Sequence, residues 1–186
     1  MQELGFFKRL TGHFNTINKH RFLVMKMCFK CGMYSQGLLH DLSKYSFEEF
    51  IPSVRYFQGY RSPISREKEI NGYSRCYLHH KGRNKHHWEY WIDRKHGTRE
   101  LFVFPMPYRY MLESVIDRIS ASKTYKKQDY TDSEPYEFFT NSKEYALMNP
   151  KTAEQISELL LYLKENGEEK ALDYYKSLYR QNKDLL

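Results

Sequence analysis

Apolar residues recur at intervals of three and four along much of the chain, the spacing of an α-helix with one buried face. The pattern is clear between Asn15 and Gly32, where the inward set is His20, Leu23, Val24, Met27, Cys28 and Cys31. The sequence therefore predicts a first long helix here. His20 lies on its buried face, either as a hydrogen-bonded core residue or as a ligand.

The same periodicity predicts further helices over residues 38–45, 47–57, 108–125, 134–139, 150–166 and 168–180. Between them, residues 58–72 contain Gly59, Pro63 and Gly72 among charged residues and predict a loop. Residues 101–104 form a short apolar run before Pro105, which is typical of an edge strand. The predicted fold is an all-α helical bundle, a single domain with a loop-rich middle segment.

Length and hydropathy set the expected organisation. A chain of 186 residues is typical of one domain. We divide it into an N-terminal extension (1–14), a helical domain (15–165) and a C-terminal helix that packs on the domain (166–186). No apolar run approaches the roughly 20 residues that cross a bilayer, and residues 1–16 lack the features of a signal peptide. We therefore expect a cytoplasmic protein without a membrane partner.

The charge and the cysteines narrow the class of partner. The chain carries 30 basic and 23 acidic residues, a net charge of +7. This surplus favours an anionic partner, whether nucleotide, nucleic acid or phosphate ester, although it is also compatible with an ordinary protein surface. Cys28 and Cys31 have C-x-x-C spacing, but no second pair completes a zinc ribbon. With Cys76 they are better interpreted as packed, reduced cysteines.

The most informative stretch is the one around His40 and Asp41. An adjacent imidazole and carboxylate form a compact pair of ligands for transition metals. Asp41 shares its predicted helix with Leu38 and Tyr45, and an ionised carboxylate on an apolar side is costly unless it is paired or bound to a metal. The alternatives are a helix cap or a salt bridge to Lys44 or Lys30.

A histidine-rich segment follows in the middle of the chain. Four of the eight histidines fall within nine positions, as the pairs His79-His80 and His86-His87. The residues between them predict a turn, so imidazoles from two elements could converge while three basic residues surround them: Lys81, Arg83 and Lys85. Imidazoles bind transition metals, whereas Lys and Arg bind phosphate. Alternatively, this is a nucleic-acid-binding surface that also uses the aromatic residues Trp88, Tyr90 and Trp91.

A second carboxylate of interest, Asp117, lies on the predicted helix 108–125. It is flanked by the small residues Ser114 and Ala121, which would let another helix or a metal site come close. The alternative is a salt bridge with Arg118 or Arg109.

The order of these residues resembles the HD superfamily of metal-dependent phosphohydrolases. The resemblance implies an HD-domain-like all-α bundle that holds one or two divalent transition-metal ions (Mn, Fe, Co, Ni or Zn). It implies His20, His40, Asp41 and Asp117 as metal ligands. Members with two metals draw further histidines from the intervening segment, which here contains His79, His80, His86 and His87. Lys44 matches a lysine that can neutralise a substrate phosphate.

Three strings, HDLSKYS, GYSRCYLHHKGRNKHHWEYW and DRISASK, are similar to an uncharacterised bacterial and phage family of domains of unknown function. This likeness covers roughly residues 15–165.

The expected function is a metal-dependent phosphohydrolase acting on a nucleotide or another small phosphate ester. Asp41 and Lys44 would be catalytic, and the substrate phosphate would meet Lys44, Lys81, Arg83 and Lys85. The main alternative is a nucleic-acid-binding or interaction protein with at most a structural metal. A di-iron oxidative centre on the same residues is a third hypothesis. The sequence leaves open the metal, the substrate, the oligomeric state and which histidine of each pair is a ligand.

Overall fold

Helices make up most of the computed structural model, which describes residues 4–142 and 144–185. In chain order they are α1 (Phe6–Lys30), α2 (Tyr34–Leu39), α3 (Phe47–Tyr56), α4 (Pro63–Asn71), α5 (Arg75–Arg83), α6 (Tyr108–Lys126), α7 (Glu134–Thr140), α8 (Glu144–Leu147), α9 (Pro150–Asn166) and α10 (Glu168–Asn182). Short 3-10 helices span Leu42–Tyr45, Trp88–Trp91 and Lys127–Asp129. Strands β1 (Ile92–Arg94) and β2 (Leu101–Val103) pair antiparallel. The all-α prediction is confirmed.

Helix α1 is longer than its predicted form and runs along one side of the bundle. It begins at Phe6 rather than Asn15, because His13 and Ile17 continue the buried stripe that leads to His20. Residues 6–14, assigned to an N-terminal extension, are therefore the first part of this helix. Residues 1–3 of that extension, and Leu186 of the C-terminal segment, lie outside the described residues.

The apolar core is built around α6, against which α1, α9 and α10 pack. Its fully buried residues include Met111, Leu112, Val115, Ile116 and Ile119. The cysteines are free and buried, as predicted. Burial raises the pKa of the Cys31 thiol to about 12 and that of Cys76 to about 11, so both remain protonated. Within the described residues, no helix is long and apolar enough to cross a membrane.

The middle of the chain differs from its prediction. The loop predicted for residues 58–72 is wrong over most of its length, since α4 occupies Pro63–Asn71. Pro63 stands in the first turn and Gly72 ends the helix in the left-handed conformation (φ 78°). Proline at the start and glycine just beyond the end are normal boundaries of a helix, so these residues delimit α4 rather than break it.

His13 makes the stability of the bundle sensitive to acid. Its ring is buried between Phe50 and Phe57, and neither ring nitrogen has a hydrogen-bond partner among the described residues. Burial, aided by the charge of Lys44, lowers the pKa of His13 from 6.5 to about 4. The folded state therefore binds this proton less readily than the unfolded state. Above pH 6.5 the ring is neutral in both states and the free energy of unfolding keeps its full value. As the pH falls from 6.5 towards 4, the unfolded state takes up the proton and the free energy of unfolding decreases.

We expect the substitution His13→Leu to remove this part of the acid sensitivity. The difference in free energy of unfolding between variant and wild type should shift in favour of the variant by about 3 kcal/mol between pH 7 and pH 4. Urea denaturation of both proteins across that range measures the shift. A difference that stays constant with pH would contradict this role.

Candidate metal centre

The chain turns sharply between His40 and Asp41. Helix α2 ends at Leu39, and Asp41 adopts the left-handed conformation (φ 54°, ψ 26°), which Asp tolerates better than most residues. The helix predicted for residues 38–45 is therefore wrong. The turn buries both side chains, with Asp41 only 1% exposed, whereas Leu38 and Leu39 before it are exposed.

Arg21 of α1 fixes this turn from outside. Its Nε donates to the carbonyl oxygen of His40 at 2.8 Å, and its Nη2 donates to that of Leu38 at 3.1 Å. These are carbonyls that the end of a short helix leaves without partners. The position of the His-Asp pair is thereby tied to the long helix that carries His20.

A first group of donors joins α1, the turn and α6. Nε2 of His20 lies 2.9 Å from Oδ1 of Asp117 and 3.6 Å from Oδ2 of Asp41. Nε2 of His40 lies 3.4 Å and 3.3 Å from the same two oxygens. One atom from each of the four residues falls within 4.8 Å of all the others, so this group could hold a metal ion.

A second group uses the other oxygen of Asp41. Its Oδ1 lies 3.4 Å from Nε2 of His80, on α5, and 3.4 Å from Nε2 of His86, in the loop after α5. His87 completes this group, again within 4.8 Å. The single carboxylate of Asp41 therefore faces both groups, one oxygen to each.

The centre is not satisfied by its own hydrogen bonds. Four of its buried atoms have no hydrogen-bond partner among the described residues: Nε2 of His40, His86 and His87, and Oδ1 of Asp41. Leaving one buried polar atom unpaired costs about 1–3 kcal/mol. Four such atoms facing one another fit a cation between them better than a purely structural network.

Two buried glutamates orient these imidazoles from behind. Oε1 of Glu113 lies 2.9 Å from Nδ1 of His40 and 3.2 Å from Nδ1 of His86, and Oε2 of Glu49 lies 2.8 Å from Nδ1 of His80. Burial would raise the pKa of each glutamate, but the histidine contacts lower it. An ionised carboxylate accepts the Nδ1 hydrogen, which leaves the lone pair of Nε2 facing the centre, as metal binding requires.

Neither glutamate was predicted from the sequence as part of the site. Glu49 looked like a favourable charge in the first turn of α3, and its burial depends on α5 packing against that helix. Glu113 precedes Asp117 by four residues and so lies on the same face of α6. The spacing of four residues from Asp117 could therefore have identified Glu113 from the sequence.

His79 is not brought to either group. Its Nδ1 lies 2.7 Å from Oε1 of Glu49, and its Nε2 accepts a hydrogen bond from Nε of Arg83 at 2.6 Å. Both ring nitrogens are therefore engaged with other residues. His79 supports Glu49, which in turn holds His80.

Lys44 and Asp117 mark the accessible side of the centre. The Lys44 ammonium lies 2.6 Å from Oδ2 of Asp41. The side chains of Lys44 and Asp117 are 26% and 18% exposed, against 1% for Asp41. Burial lowers the pKa of Lys44, but the neighbouring carboxylates of Asp41 and Asp117 raise it above its usual value. Lys44 is thus a permanent cation at the rim. The salt bridge to Lys44 that the sequence offered as an alternative for Asp41 is therefore present, and the same carboxylate also faces the two donor groups.

The charges of the centre suit a metal ion. Burial would raise the pKa of Asp41, but the charges of His40, Lys44 and His80 hold it well below its usual value. Burial and the neighbouring His86 and His80 lower the pKa of His87, which keeps its ring neutral. The carboxylate of Asp41 and the imidazole of His87 are thus in the forms that bind transition metals. Burial lowers the pKa of His40, but Asp41, Asp117 and Glu113 raise it well above its usual value, so a metal ion that binds here would displace a proton from this ring. Asp117 does not pair with Arg118, which contacts Glu144 instead.

The basic segment after α5 only partly resembles a nucleic-acid surface. The ammonium of Lys81 lies 5.9 Å from the centre of the Tyr77 ring, and that of Lys85 lies 5.8 Å from the ring of Tyr90. Trp88 is buried in the core, and Trp91 packs against the core and donates to the backbone of Lys85. Of the three aromatics proposed for stacking, only Tyr90 is exposed.

The geometry separates the roles of His79 and His80. We expect His80→Asn to lower the metal content of the protein, since it removes a donor, whereas His79→Asn should retain the wild-type content. Elemental mass spectrometry after loading with excess Mn²⁺, Zn²⁺ or Fe²⁺ and desalting measures this, with circular dichroism to confirm folding. Equal losses in both variants would contradict the assignment.

Comparisons with known proteins place the chain in a family. DUF5662, a family of unknown function, matches residues 9–161. No curated protein matches the chain, and neither does any solved structure. Because the match covers most of the sequence and all the residues of the centre, the chain belongs to the DUF5662 family.

Proposed function

We propose that this protein is a metal-dependent phosphohydrolase that acts on a nucleotide or another small phosphate ester. The observation that carries the proposal is the shared carboxylate of Asp41, which presents one oxygen to each of two histidine groups and has a lysine at its rim. The order of the donors, His20, His40-Asp41, the later histidines and Asp117, resembles the HD superfamily.

The donor set fits divalent transition metals such as Mn, Fe, Co, Ni or Zn. It combines imidazole nitrogens with carboxylates and lacks a thiolate, since Cys28, Cys31 and Cys76 belong to none of the donor groups found in the described residues. His20, His40, Asp41 and Asp117 would hold one ion, and Asp41, His80, His86 and His87 a second. Bound ions would polarise a phosphoryl oxygen and lower the pKa of a water molecule towards neutral.

The chain's own residues would bind and orient the substrate. Lys44 is positively charged, partly exposed and 2.6 Å from the shared carboxylate, so a phosphate approaching the rim would meet its ammonium group. Placing a cation where negative charge develops is among the largest catalytic effects. Glu113 and Glu49 would keep the imidazoles in place during the reaction.

The residues Lys81 and Lys85 would add a weaker, long-range attraction for an anionic substrate. Their ammonium groups lie over the exposed or half-buried rings of Tyr90 and Tyr77 rather than beside Asp41. Arg83 contacts His79, so its first role would be to hold that ring, with any contact to phosphate secondary.

We expect the metal-loaded protein to release phosphate from at least one member of a panel of nucleotides and small phosphate esters. Lys44→Met should lower kcat/KM by about 100-fold, since it removes a cation that acts on the transition state. The variant should retain its metal, because Lys44 donates no ligand atom. The matched control is Lys170→Met, on the exposed side of α10, which should leave the rate unchanged.

Colorimetric phosphate assays with each metal, together with metal content, measure both effects. Absence of phosphate release with every metal tested, in protein shown to hold metal, would rule out the proposed function. The metal centre itself would then stand, and an oxidative reaction would be the next hypothesis to test.

A further inference from the structure

A row of exposed phenylalanines follows the outer face of α1, the face opposite His20. Phe7, Phe14, Phe22 and Phe29 are 77%, 46%, 59% and 37% exposed. Their spacing of seven or eight residues brings them to the same side of the helix, and the row extends over about 33 Å. We call this set the α1 aromatic face. Four large, exposed aromatic side chains aligned along one side of a helix are typical of a binding surface.

Neighbouring elements enlarge the α1 aromatic face. The ring of Phe14 contacts those of Tyr45 and Phe50, and the ring of Phe29 contacts that of Tyr34. Beside Phe14 lies a groove of about 530 Å³, lined mainly by apolar side chains. The exposed side chains of Leu38 and Leu39 lie near Arg21, which binds the backbone at Leu38.

The charge of α1 indicates what this face would meet. The helix contains six basic residues and no acidic residue over its 25 positions. Lys19 and Lys26 lie three and four residues from Phe22, so on the helix surface they flank it. Neither lysine has an ion-pair partner among the described residues, and the same holds for Lys30 beside Phe29.

We propose that the α1 aromatic face docks on an anionic lipid surface, with the axis of α1 parallel to the plane of the membrane. Phenylalanine rings on one side of a helix with lysines along its edge are the pattern of helices that lie in a membrane interface. The apolar rings would enter the acyl boundary, while the ammonium groups would meet lipid phosphates. The expectation of no membrane partner rested on the lack of a spanning segment, which this mode of binding does not need.

A second copy of the chain fits the face less well. It would bring the same helix, with six basic residues and no carboxylate, against the first. Packing two such helices would place like charges together in a partly desolvated interface. A flat lipid surface also suits a convex single helix, whereas a protein partner would have to supply a concave acidic groove.

The test uses the full chain and sedimentation with sucrose-loaded vesicles of phosphatidylcholine, with or without one third phosphatidylglycerol. We expect wild type to bind the anionic vesicles at least about tenfold better than the neutral ones, and more weakly at high salt. Phe7→Ser combined with Phe22→Ser should reduce binding by about tenfold or more, because two rings no longer leave water. Lys19→Glu combined with Lys26→Glu should reduce it by a similar factor.

Matched controls come from other exposed positions. Phe138→Ser, on α7, changes a ring that is 71% exposed but lies outside the α1 aromatic face. Lys151→Glu combined with Lys170→Glu makes the same change of charge on α9 and α10. Both controls should bind as wild type does.

Three results would overturn the proposal. In the first, wild type stays unbound to anionic vesicles. In the second, the Phe7 and Phe22 double variant binds as well as wild type. In the third, wild type forms a dimer in sedimentation velocity that the same double variant dissociates, which would assign the face to a second copy. The vesicle assay measures no phosphate release, so its outcome is independent of the proposed phosphohydrolase activity.

Discussion

The carboxylate of Asp41 is the group on which the rest of the centre depends. It is almost completely buried, ionised, and positioned so that its two oxygens face different sets of imidazoles. Burying an unpaired charge is very costly, so the fold must surround it with compensating groups. Lys44 supplies one of these, and the unpaired nitrogens around the centre leave room for a metal ion to supply the rest.

The long helices hold this arrangement in place. His20 and Arg21 are adjacent on α1, so the same turn of helix supplies a donor to the centre and fixes the backbone around His40. On α6, Glu113 and Asp117 lie four residues apart, and one orients His40 and His86 while the other faces the first donor group. The remainder of α6 is packed in the core, so the geometry is supported by rigid elements.

Much of this could be predicted from the sequence, and the exceptions have physical causes. The helical periodicity of the apolar residues predicted the fold class, because the spacing of residues that avoid water is visible in the sequence itself. The donors His20, His40, Asp41 and Asp117 were expected together because the resemblance supplied their order. Local pattern could not show that Asp41 takes a left-handed conformation, because the turn is held by tertiary hydrogen bonds from Arg21 to the carbonyl oxygens of Leu38 and His40. The choice of His80 over His79 did have a signal, because Cys76 and His80 lie four residues apart on the buried face of α5.

The most direct test of this account is the metal content of wild type beside Asp41→Asn, measured by elemental mass spectrometry after metal loading. Asparagine keeps the shape of the side chain but removes its charge, and Asp93→Asn, on the exposed strand β1, is the matched control. We expect one or two ions per chain in wild type and in the control, with a large loss in Asp41→Asn. Wild type without metal after loading, or Asp41→Asn with the full content, would contradict it.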